Sequence, residues 1–229
     1  MIIGGFQRFS LIDYPGKICA IVFTQGCNFR CPYCHNPELI NPQASQGSIS
    51  EEEILSFLKK RKGKLDAVEI TGGEPTLQSD ITEFLEKVKE MNFLIKLDSN
   101  GSHPEVIEKI VELKLVDYLA MDIKAPLRRY QEITGSNINP HTIRQSIDLI
   151  MNSGLDYELR TTVVKSQISE RDLLEIGRLI KGAKLYILQR FVPSKALDKR
   201  FLNEVTYSDE EFEHFKKILE DYVVKCDVR

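Results

Sequence analysis

The feature that most constrains the fold is an alternation of short, β-branched apolar runs with longer segments of helical periodicity, which begins after residue 17. Such alternation is typical of βα units with parallel strands. Parallel strands joined by right-handed helical crossovers build either an open doubly wound sheet or a barrel, and periodicity alone favours neither. The predicted strands cover residues 18–24, 67–71, 94–98, 118–122, 158–164 and 185–189.

The intervening segments predict amphipathic helices over residues 50–61, 81–91, 104–113, 140–152, 169–180 and 208–224. Two of them carry a start signal, since Ser50 and Ser208 each precede a run of acidic residues. A serine at the N-cap accepts a backbone hydrogen bond, and acidic side chains in the first turn interact favourably with the helix dipole. We therefore expect helices to begin at these two serines.

Length and charge limit the class of protein. The chain has 229 residues, of which 42% are apolar and 28% charged, as in soluble globular proteins. No linker or composition shift interrupts it, so we expect a single domain over residues 1–229. The net charge of -3 supplies no broad positive surface for a phosphate backbone. The longest apolar run, residues 18–23, is far shorter than the about 20 residues that cross a bilayer. We expect a cytoplasmic protein that binds neither nucleic acid nor membrane.

The residues at and just after the ends of the predicted strands are the candidates for chemistry, because ligands of parallel α/β folds bind where the strands end. These residues include the cysteine-rich segment after the first strand and a glycine pair after the second. In chain order they are Cys27, Cys31, Cys34, Gly72, Gly73, Glu74, Asp98, Ser99, Asn100, Gly101, Asp122, Lys124 and Arg190.

Three of the five cysteines, Cys27, Cys31 and Cys34, lie within eight residues, whereas Cys19 and Cys226 are isolated. We expect Cys19 to be a core thiol and Cys226 to lie on the last helix. Three thiolates in one loop suit a soft metal centre, and a 4Fe-4S cluster held by three cysteines leaves one iron open to another ligand. The alternatives are a structural zinc site completed by Cys19 or His35, and three unrelated buried thiols. A closed zinc site usually takes two separated pairs of ligands, and this sequence has no second pair.

The other candidates each have a structural alternative. The pair Gly72 and Gly73 either lets the backbone approach a ligand closely or only turns the chain into the next helix. Glu74 precedes a proline and is held outside a helix, so its carboxylate faces either an ammonium group or solvent. Asn100 and Gly101 form a common turn dipeptide, so the segment around them contacts a ligand or simply makes a βα turn.

The spacing CxxxCxxC, with the aromatic Tyr33 before the third cysteine, resembles the signature of the radical S-adenosylmethionine (SAM) superfamily. The segment Gly72-Gly73-Glu74-Pro75 is similar to the superfamily's GGE motif. Residues 5–37, with SLIDYPGK at 10–17 and CHNP at 34–37, most resemble the activating enzymes of glycyl-radical proteins, and among them the activases of anaerobic ribonucleoside-triphosphate reductase. Pyruvate formate-lyase activases are near relatives, with similar patterns around residues 98–101 and 122–124. The resemblance covers nearly the whole chain.

The resemblance implies a partial, open (β/α)6 barrel of the radical SAM type. It implies that Cys27, Cys31 and Cys34 hold a 4Fe-4S cluster and that SAM is the second cofactor. We expect bulk at Gly73 to block the approach of the backbone to SAM without loss of the cluster. The residues implied to bind SAM are Tyr33, Gly72, Gly73, Glu74, Ser99, Asn100, Asp122 and Lys124.

The resemblance also implies a monovalent cation bound by Asp98 and Asp122, with Ser99 and Ala120 nearby, and a contact of Lys124 with the SAM carboxylate. The alternative for these acids and Lys124 is an ordinary ion pair at the rim of a barrel. The residues alone assign no role to His35, Arg160 or Arg190.

The expected activity is that of an oxidoreductase that cleaves SAM reductively and generates a glycyl radical on a partner enzyme. The expected partner is the large subunit of anaerobic ribonucleotide reductase, with a flavodoxin or ferredoxin as electron donor. A pyruvate formate-lyase-type activase and a radical SAM enzyme that acts on a small molecule are the alternatives among enzymes, and a zinc-bound interaction module is the alternative outside them.

Overall fold

The computed structural model describes residues 1–41 and 49–229. Its strands belong to one sheet in the order β1-β2-β3-β4-β5-β6-β7-β8. Strand β1 pairs antiparallel with β2, whereas β2, β3 and β4 pair parallel, as do β6, β7 and β8. The predicted α/β class with a parallel sheet is confirmed. The strands are β1 (Ile3–Ser10), β2 (Cys19–Thr24), β3 (Ala67–Gly72), β4 (Leu94–Ser99), β5 (Tyr118–Asp122), β6 (Asp156–Val163), β7 (Tyr186–Arg190) and β8 (Cys226–Val228).

The predicted amphipathic segments all form helices, and the last of them ends at Leu219 rather than at residue 224. Ser50 and Ser208 are N-caps whose side chains accept from the backbone N–H groups of Glu53 and Glu211, as expected. Short 3-10 turns occupy Pro37–Leu39, Pro75–Leu77, Leu127–Arg129 and Lys199–Asn203. The helices are α1 (Glu51–Lys60), α2 (Ile81–Lys89), α3 (Pro104–Glu112), α4 (Tyr130–Thr134), α5 (Pro140–Asn152), α6 (Glu170–Leu179) and α7 (Asp209–Leu219).

Among the described residues, three elements were not predicted from the sequence pattern. Strand β1 precedes the βα rhythm and has exposed or half-buried residues over most of its length, so it shows no apolar run. Helix α4 has five residues, too few for a helical period. Strand β8 has three residues and begins at Cys226, just beyond the predicted end of the last helix. Cys226 is therefore on a strand and not on a helix, because α7 ends at Leu219 and the chain then pairs with β7.

By their internal contacts the residues form two compact units. The first unit comprises Met1–Asn28, Glu38–Ser99 and Glu105–Leu119. Part of its core is a cluster of buried side chains, which contains Tyr14, Cys19, Ile21, Ala67 and Tyr118. The rings of Tyr14 and Tyr118 are 5.7 Å apart in this cluster. Cys19 is thus a core thiol, as predicted, and burial raises its pKa to about 11.

The second unit comprises Phe29–Pro37, Asn100–Pro104 and Ala120–Arg229. Its strands are β6, β7, β8 and the end of β5. Leu219 of α7 and Tyr222 lie close to Gly177 of α6. Buried Cys226 begins β8, and burial raises its pKa to about 12. The expectation of a single domain over residues 1–229 stays a prediction. Among the described residues, no helix is long and apolar enough to cross a membrane.

Candidate active site

Cys27 lies in the first unit, just beyond the end of β2. The backbone N–H of Cys27 donates to the carbonyl of Ile40 at 3.2 Å, and that of Gly26 donates to Leu39 at 2.7 Å. The buried amide of Gln25 donates to the carbonyls of Glu38 and Asn41 at 2.9 and 2.8 Å. Residues 38–41 therefore fix the start of the cysteine-rich loop. No motif in the sequence indicated this function of Gln25.

The glycine pair lies at the end of β3 and packs against the residues that precede Cys27. The N–H of Gly73 donates to Thr24 at 2.9 Å, and the N–H of Glu74 donates to the carbonyl of Gly26 at 2.8 Å. A Cβ added at Gly73 would lie 2.0 Å from that carbonyl oxygen. Gly72 ends β3 opposite Thr24 in the parallel register. The backbone around Gly73 thus lies very close to Gly26, the residue before Cys27.

Glu74 is buried, so the alternative of a solvated loop acid is wrong. It is 1% exposed and caps the 3-10 turn at Pro75–Leu77. Its Oε1 accepts from the Thr76 N–H at 3.1 Å, from the Thr76 hydroxyl at 2.6 Å and from the Ser99 hydroxyl at 2.8 Å. The structure therefore brings together Glu74 and Ser99, two of the residues implied to bind SAM.

A buried cluster of ionisable side chains lies on β3 and β4 of the first unit. Lys96 is directly opposite Glu69 in the register and two residues from Asp98, so all three side chains share one face. The Lys96 Nζ is 2.9 Å from Glu69 Oε1 and 2.6 Å from Asp98 Oδ1. Burial, together with the charge of Asp98, raises the pKa of Glu69 to about 9. Asp98, implied to be a cation ligand, is thus engaged by the ammonium of Lys96.

The remainder of the cysteine-rich loop lies in the second unit and is held by α4. The N–H of Arg30 donates to the carbonyl of Thr134 at 2.7 Å, and the rings of Phe29 and Tyr130 meet edge to face at 6.2 Å. The N–H of Cys34 donates to the carbonyl of Cys31 at 3.1 Å, which closes a turn between these two cysteines. Helix α4 therefore supports the loop on which both thiols are placed.

Tyr33 and His35 pack against the segment after β7. Tyr33 is 3% exposed and its ring lies 6.4 Å from Phe191, while its hydroxyl has no hydrogen-bond partner among the described residues. The His35 ring stacks on Phe191 at 5.2 Å, and its Nε2 lies 3.0 Å from the carbonyl oxygen of Val192. Asp198 donates from its N–H to Pro32 at 2.9 Å. The segment from Phe191 to Asp198 thus covers one side of the loop.

Asp122 and Lys124 form an ion pair at the end of β5. The Lys124 Nζ is 3.0 Å from Asp122 Oδ2, and the Arg160 Nε is 2.8 Å from Asp122 Oδ1. Burial opposes ionisation of Asp122, but the charges of Arg160 and Lys124 outweigh it and hold its pKa below the usual range. Burial raises the pKa of the Cys31 thiol to about 11, and the charge of Lys124 partly offsets this effect. Lys124 is therefore close enough to interact electrostatically with Cys31.

The remaining sequence candidates occupy different places. Asn100 is buried, and its side chain accepts from the N–H of Ser102 at 2.9 Å, which is the geometry of a turn. Arg190 points to α7, where it pairs with Asp209 at 2.9 Å and lies over the ring of Phe212 at 4.3 Å. Arg160 is a site residue to which the sequence assigned no role. Its signal in the sequence is that Glu158 and Arg160 place two charges within a predicted strand.

The donor set of the cysteine-rich loop fits an iron-sulfur cluster, because it offers three thiols. Burial keeps the free Cys31 thiol protonated, and binding of a metal would displace that proton. Across residues 1–41 and 49–229, no group of three or more His, Cys, Asp or Glu side chains stands ready to hold a metal ion. The assignment of Cys27, Cys31 and Cys34 as ligands therefore stays a prediction from their spacing, and so does the cation site at Asp98 and Asp122.

Comparison with known sequences gives consistent matches. The radical SAM superfamily matches residues 21–180. A provisionally named glycyl-radical enzyme activating enzyme of Methanocaldococcus jannaschii is 35% identical over 233 residues, which cover 100% of this chain and 95% of that protein. The pyruvate formate-lyase-activating enzyme of Clostridium pasteurianum is 30% identical over 189 residues, which cover 80% of this chain and 77% of the relative.

Comparison with solved structures supports the fold. Streptococcus suis SuiB bound to S-adenosylmethionine superposes with a TM-score of 0.67 at 15% identity. The match covers 91% of this chain and 49% of SuiB, so the chain spans about half the length of that protein. At this identity the likeness concerns the fold alone.

Proposed function

Because this chain belongs to the radical SAM superfamily and, within it, to the glycyl-radical enzyme activating enzymes, we propose that it generates a glycyl radical on the large subunit of an anaerobic ribonucleotide reductase. Enzymes of this family use a 4Fe-4S cluster and SAM and act on a glycyl-radical protein. Membership in it decides against the zinc-bound interaction module. The observation that carries the proposal is the CxxxCxxC loop at the end of β2, in a chain related over its whole length to an activating enzyme.

The chemistry that the cofactors supply is a one-electron reductive cleavage of SAM to methionine and a 5'-deoxyadenosyl radical, which takes a hydrogen atom from the glycine Cα of the partner. In this proposal Cys27, Cys31 and Cys34 hold the cluster. The buried environment of Cys31 and Tyr33 excludes water from that part of the loop. A dry site protects a reactive radical from side reactions.

This chain's own residues bind and orient SAM in the proposal. Gly72, Gly73 and Glu74 meet the methionine end, and Tyr33, Ser99 and Asn100 complete the contacts. The hydrogen bond from Ser99 to the buried Glu74 carboxylate supports this grouping, because it restrains a side chain that would face the ligand. Lys124 binds the SAM carboxylate, and its ammonium is held in place by Asp122 at 3.0 Å. A monovalent cation at Asp98 and Asp122 belongs to the same proposal.

The choice of an anaerobic ribonucleotide reductase as partner is supported by the resemblance of residues 5–37 to the activases of those reductases. A flavodoxin or ferredoxin is the proposed electron donor. The pyruvate formate-lyase-activating enzyme of Clostridium pasteurianum is a relative, and this favours formate lyase as the second candidate partner.

The test is electron paramagnetic resonance on the anaerobically reconstituted protein, reduced and mixed with SAM and one partner at a time. We expect a glycine-centred doublet with the reductase and a weaker signal or none with formate lyase. Cys31→Ala should abolish the signal, whereas Cys226→Ala, which changes a thiol on β8, should keep it. A doublet with formate lyase alone would replace the proposed partner, and SAM cleavage without a doublet on either would favour a small-molecule substrate.

A further inference from the structure

Five charged side chains of alternating sign form a continuous chain in the second unit. Arg229 makes two hydrogen bonds to Glu158, from Nη1 to Oε1 at 3.0 Å and from Nη2 to Oε2 at 2.8 Å. The next member of this chain of charges is Arg160, whose Nη1 lies 3.6 Å from Glu158 Oε1. Arg160 binds Asp122 at 2.8 Å, and Asp122 binds Lys124 at 3.0 Å. The chain thus links Arg229 to the ammonium that the proposed function directs at SAM.

Strand geometry explains why these residues meet. Glu158 and Arg160 are two residues apart on β6, so their side chains lie on the same face. The backbone of Arg229 continues the pairing of β8, because its N–H donates to Leu188 at 2.9 Å and its carbonyl accepts from Arg190 at 2.7 Å. Strand β8, absent from the sequence prediction, therefore positions the guanidinium of Arg229 over Glu158.

The energetic balance depends on the burial of Glu158. Its side chain is 0% exposed, and a buried carboxylate without a well-placed cation is strongly unfavourable. Arg229 meets it with a two-bond geometry, whereas Arg160 is farther away at 3.6 Å. Arg160 is therefore left to make its close contact with Asp122. Without Arg229, the buried charge of Glu158 would attract Arg160 away from Asp122.

We propose that Glu158 and Arg229 are positioning residues for SAM binding, which hold Arg160 against Asp122 and thereby fix the ammonium of Lys124. The inference rests on the proposed function, in which Lys124 contacts the SAM carboxylate. An ammonium whose position varies by about an ångström binds a carboxylate less well, because the orientation is no longer prepared in advance.

The test is the dissociation constant of SAM, measured by anaerobic equilibrium dialysis on reconstituted protein, with iron content and the spectrum of the reduced cluster as parallel readouts. Arg229→Met should weaken SAM binding by about tenfold with iron content unchanged. The double variant Glu158→Gln with Arg229→Met should recover to within about twofold of the parent, because the buried charge is gone. Arg144→Met, which removes an exposed partner of Asp148 on α5, is the control and should leave SAM binding unchanged.

A parental dissociation constant in Arg229→Met, or a double variant as weak as the single one, overturns the inference. If Arg229→Met does not fold, Arg229→Lys replaces it. That variant keeps the charge but not the two-bond geometry, so it should bind SAM several times more weakly, and an unchanged constant overturns the inference as well. Lys124→Met separates the two proposals. If Lys124→Met keeps parental SAM binding, the role of Lys124 in the proposed function is wrong. If Lys124→Met weakens SAM binding but Arg229→Met does not, only the role of Arg229 and Glu158 is rejected.

Discussion

At the scale of single residues, Gly73 shows how little space separates the glycine motif from the cysteine-rich loop. A Cβ at this position would lie 2.0 Å from the Gly26 carbonyl oxygen and 3.1 Å from that of Leu39. Both neighbours are backbone atoms, which move only if the loop moves. The sequence predicts that bulk at Gly73 affects SAM alone. The contact with Gly26, directly before Cys27, extends the expected effect to the cluster.

We therefore predict that Gly73→Ala lowers the iron retained after reconstitution as well as SAM binding. Overpacking of this kind typically destabilises a protein by about 1–3 kcal/mol. The measurements are iron content and the free energy of unfolding in urea. Gly5→Ala is the matched control, because the atoms nearest to its Cβ would be those of the Phe23 side chain at ordinary contact distances, 3.4 Å or more. Full iron retention in Gly73→Ala would mean that the glycine motif affects SAM binding and not the cluster.

The cysteines give a second prediction at this scale. Replacement of Cys27, Cys31 or Cys34 by alanine should reduce bound iron to a small fraction of the parental amount, since each supplies a thiolate ligand in the proposed function. Cys19→Ala and Cys226→Ala should keep it, because both thiols are fully buried in β-strands. Iron and sulfide assays after anaerobic reconstitution measure this. Normal iron in Cys31→Ala, or iron loss in Cys226→Ala, would contradict the assignment.

At the scale of elements, the five-residue helix α4 restrains the cysteine-rich loop. It ends at Gly135, which has a φ of +55° and lies against Arg30, between the first two cysteines. A Cβ there would be 3.2 Å from both the Cβ and the carbonyl oxygen of Arg30. The end of the helix and the cysteine-rich loop are thus in tight contact.

Gly135→Ala should destabilise the protein by about 1–2 kcal/mol through the left-handed backbone conformation. It should also speed the loss of iron to a chelator, because the added methyl group displaces Arg30. Gly154→Ala is the matched control, since Gly154 has a φ of +78° but nothing within 4 Å of the added Cβ. The two variants should lose similar stability, and only Gly135→Ala should release iron faster. Equal release rates would show that α4 does not restrain the loop.

At the scale of the whole molecule, we expect the ionisation of Glu69 to make the free energy of unfolding depend on pH. The unfolded chain releases the Glu69 proton near the ordinary pKa of 4.5, whereas the folded chain keeps it up to a pKa of about 9. Between these values the unfolded state binds fewer protons, so the free energy of unfolding falls as the pH rises. The contribution of Glu69 is fully present below pH 4.5 and is lost as the pH rises through about 9.

Glu69→Gln should remove this dependence, because the amide stays neutral at every pH and its oxygen still accepts from Lys96. We expect the free energy of unfolding of the variant to exceed the parental value near pH 8 and to approach it near pH 5. Urea denaturation at the two pH values measures the difference. Glu213→Gln, an exposed change on α7, should leave the parental slope unaltered. A parental slope in Glu69→Gln would mean that Glu69 is ionised in the folded protein.

Several features of the site were accessible from local sequence. The spacing of Cys27, Cys31 and Cys34 and the glycine pair after a strand are short-range patterns, and so are the serine caps of α1 and α7. Arg160 was not accessible in the same way. Its partner Asp122 is 38 residues distant, and an arginine in a strand has no preferred partner until the fold supplies one. For Glu74 the sequence left a ligand contact and solvent as alternatives, and the fold decides between burial and exposure.

The sequence by itself determined the α/β class, the βα units, the cysteine-rich loop and the residues that follow each strand, because strand and helix periods and thiol spacing are local properties of the chain. Only the tertiary structure decided which charges meet. Arg229 and Glu158 are 71 residues apart and pair because β6 and β8 both lie beside β7 in the sheet. Coulomb interactions and hydrogen bonds depend on distance and burial in the folded molecule, and neither quantity is encoded in the period of a single element.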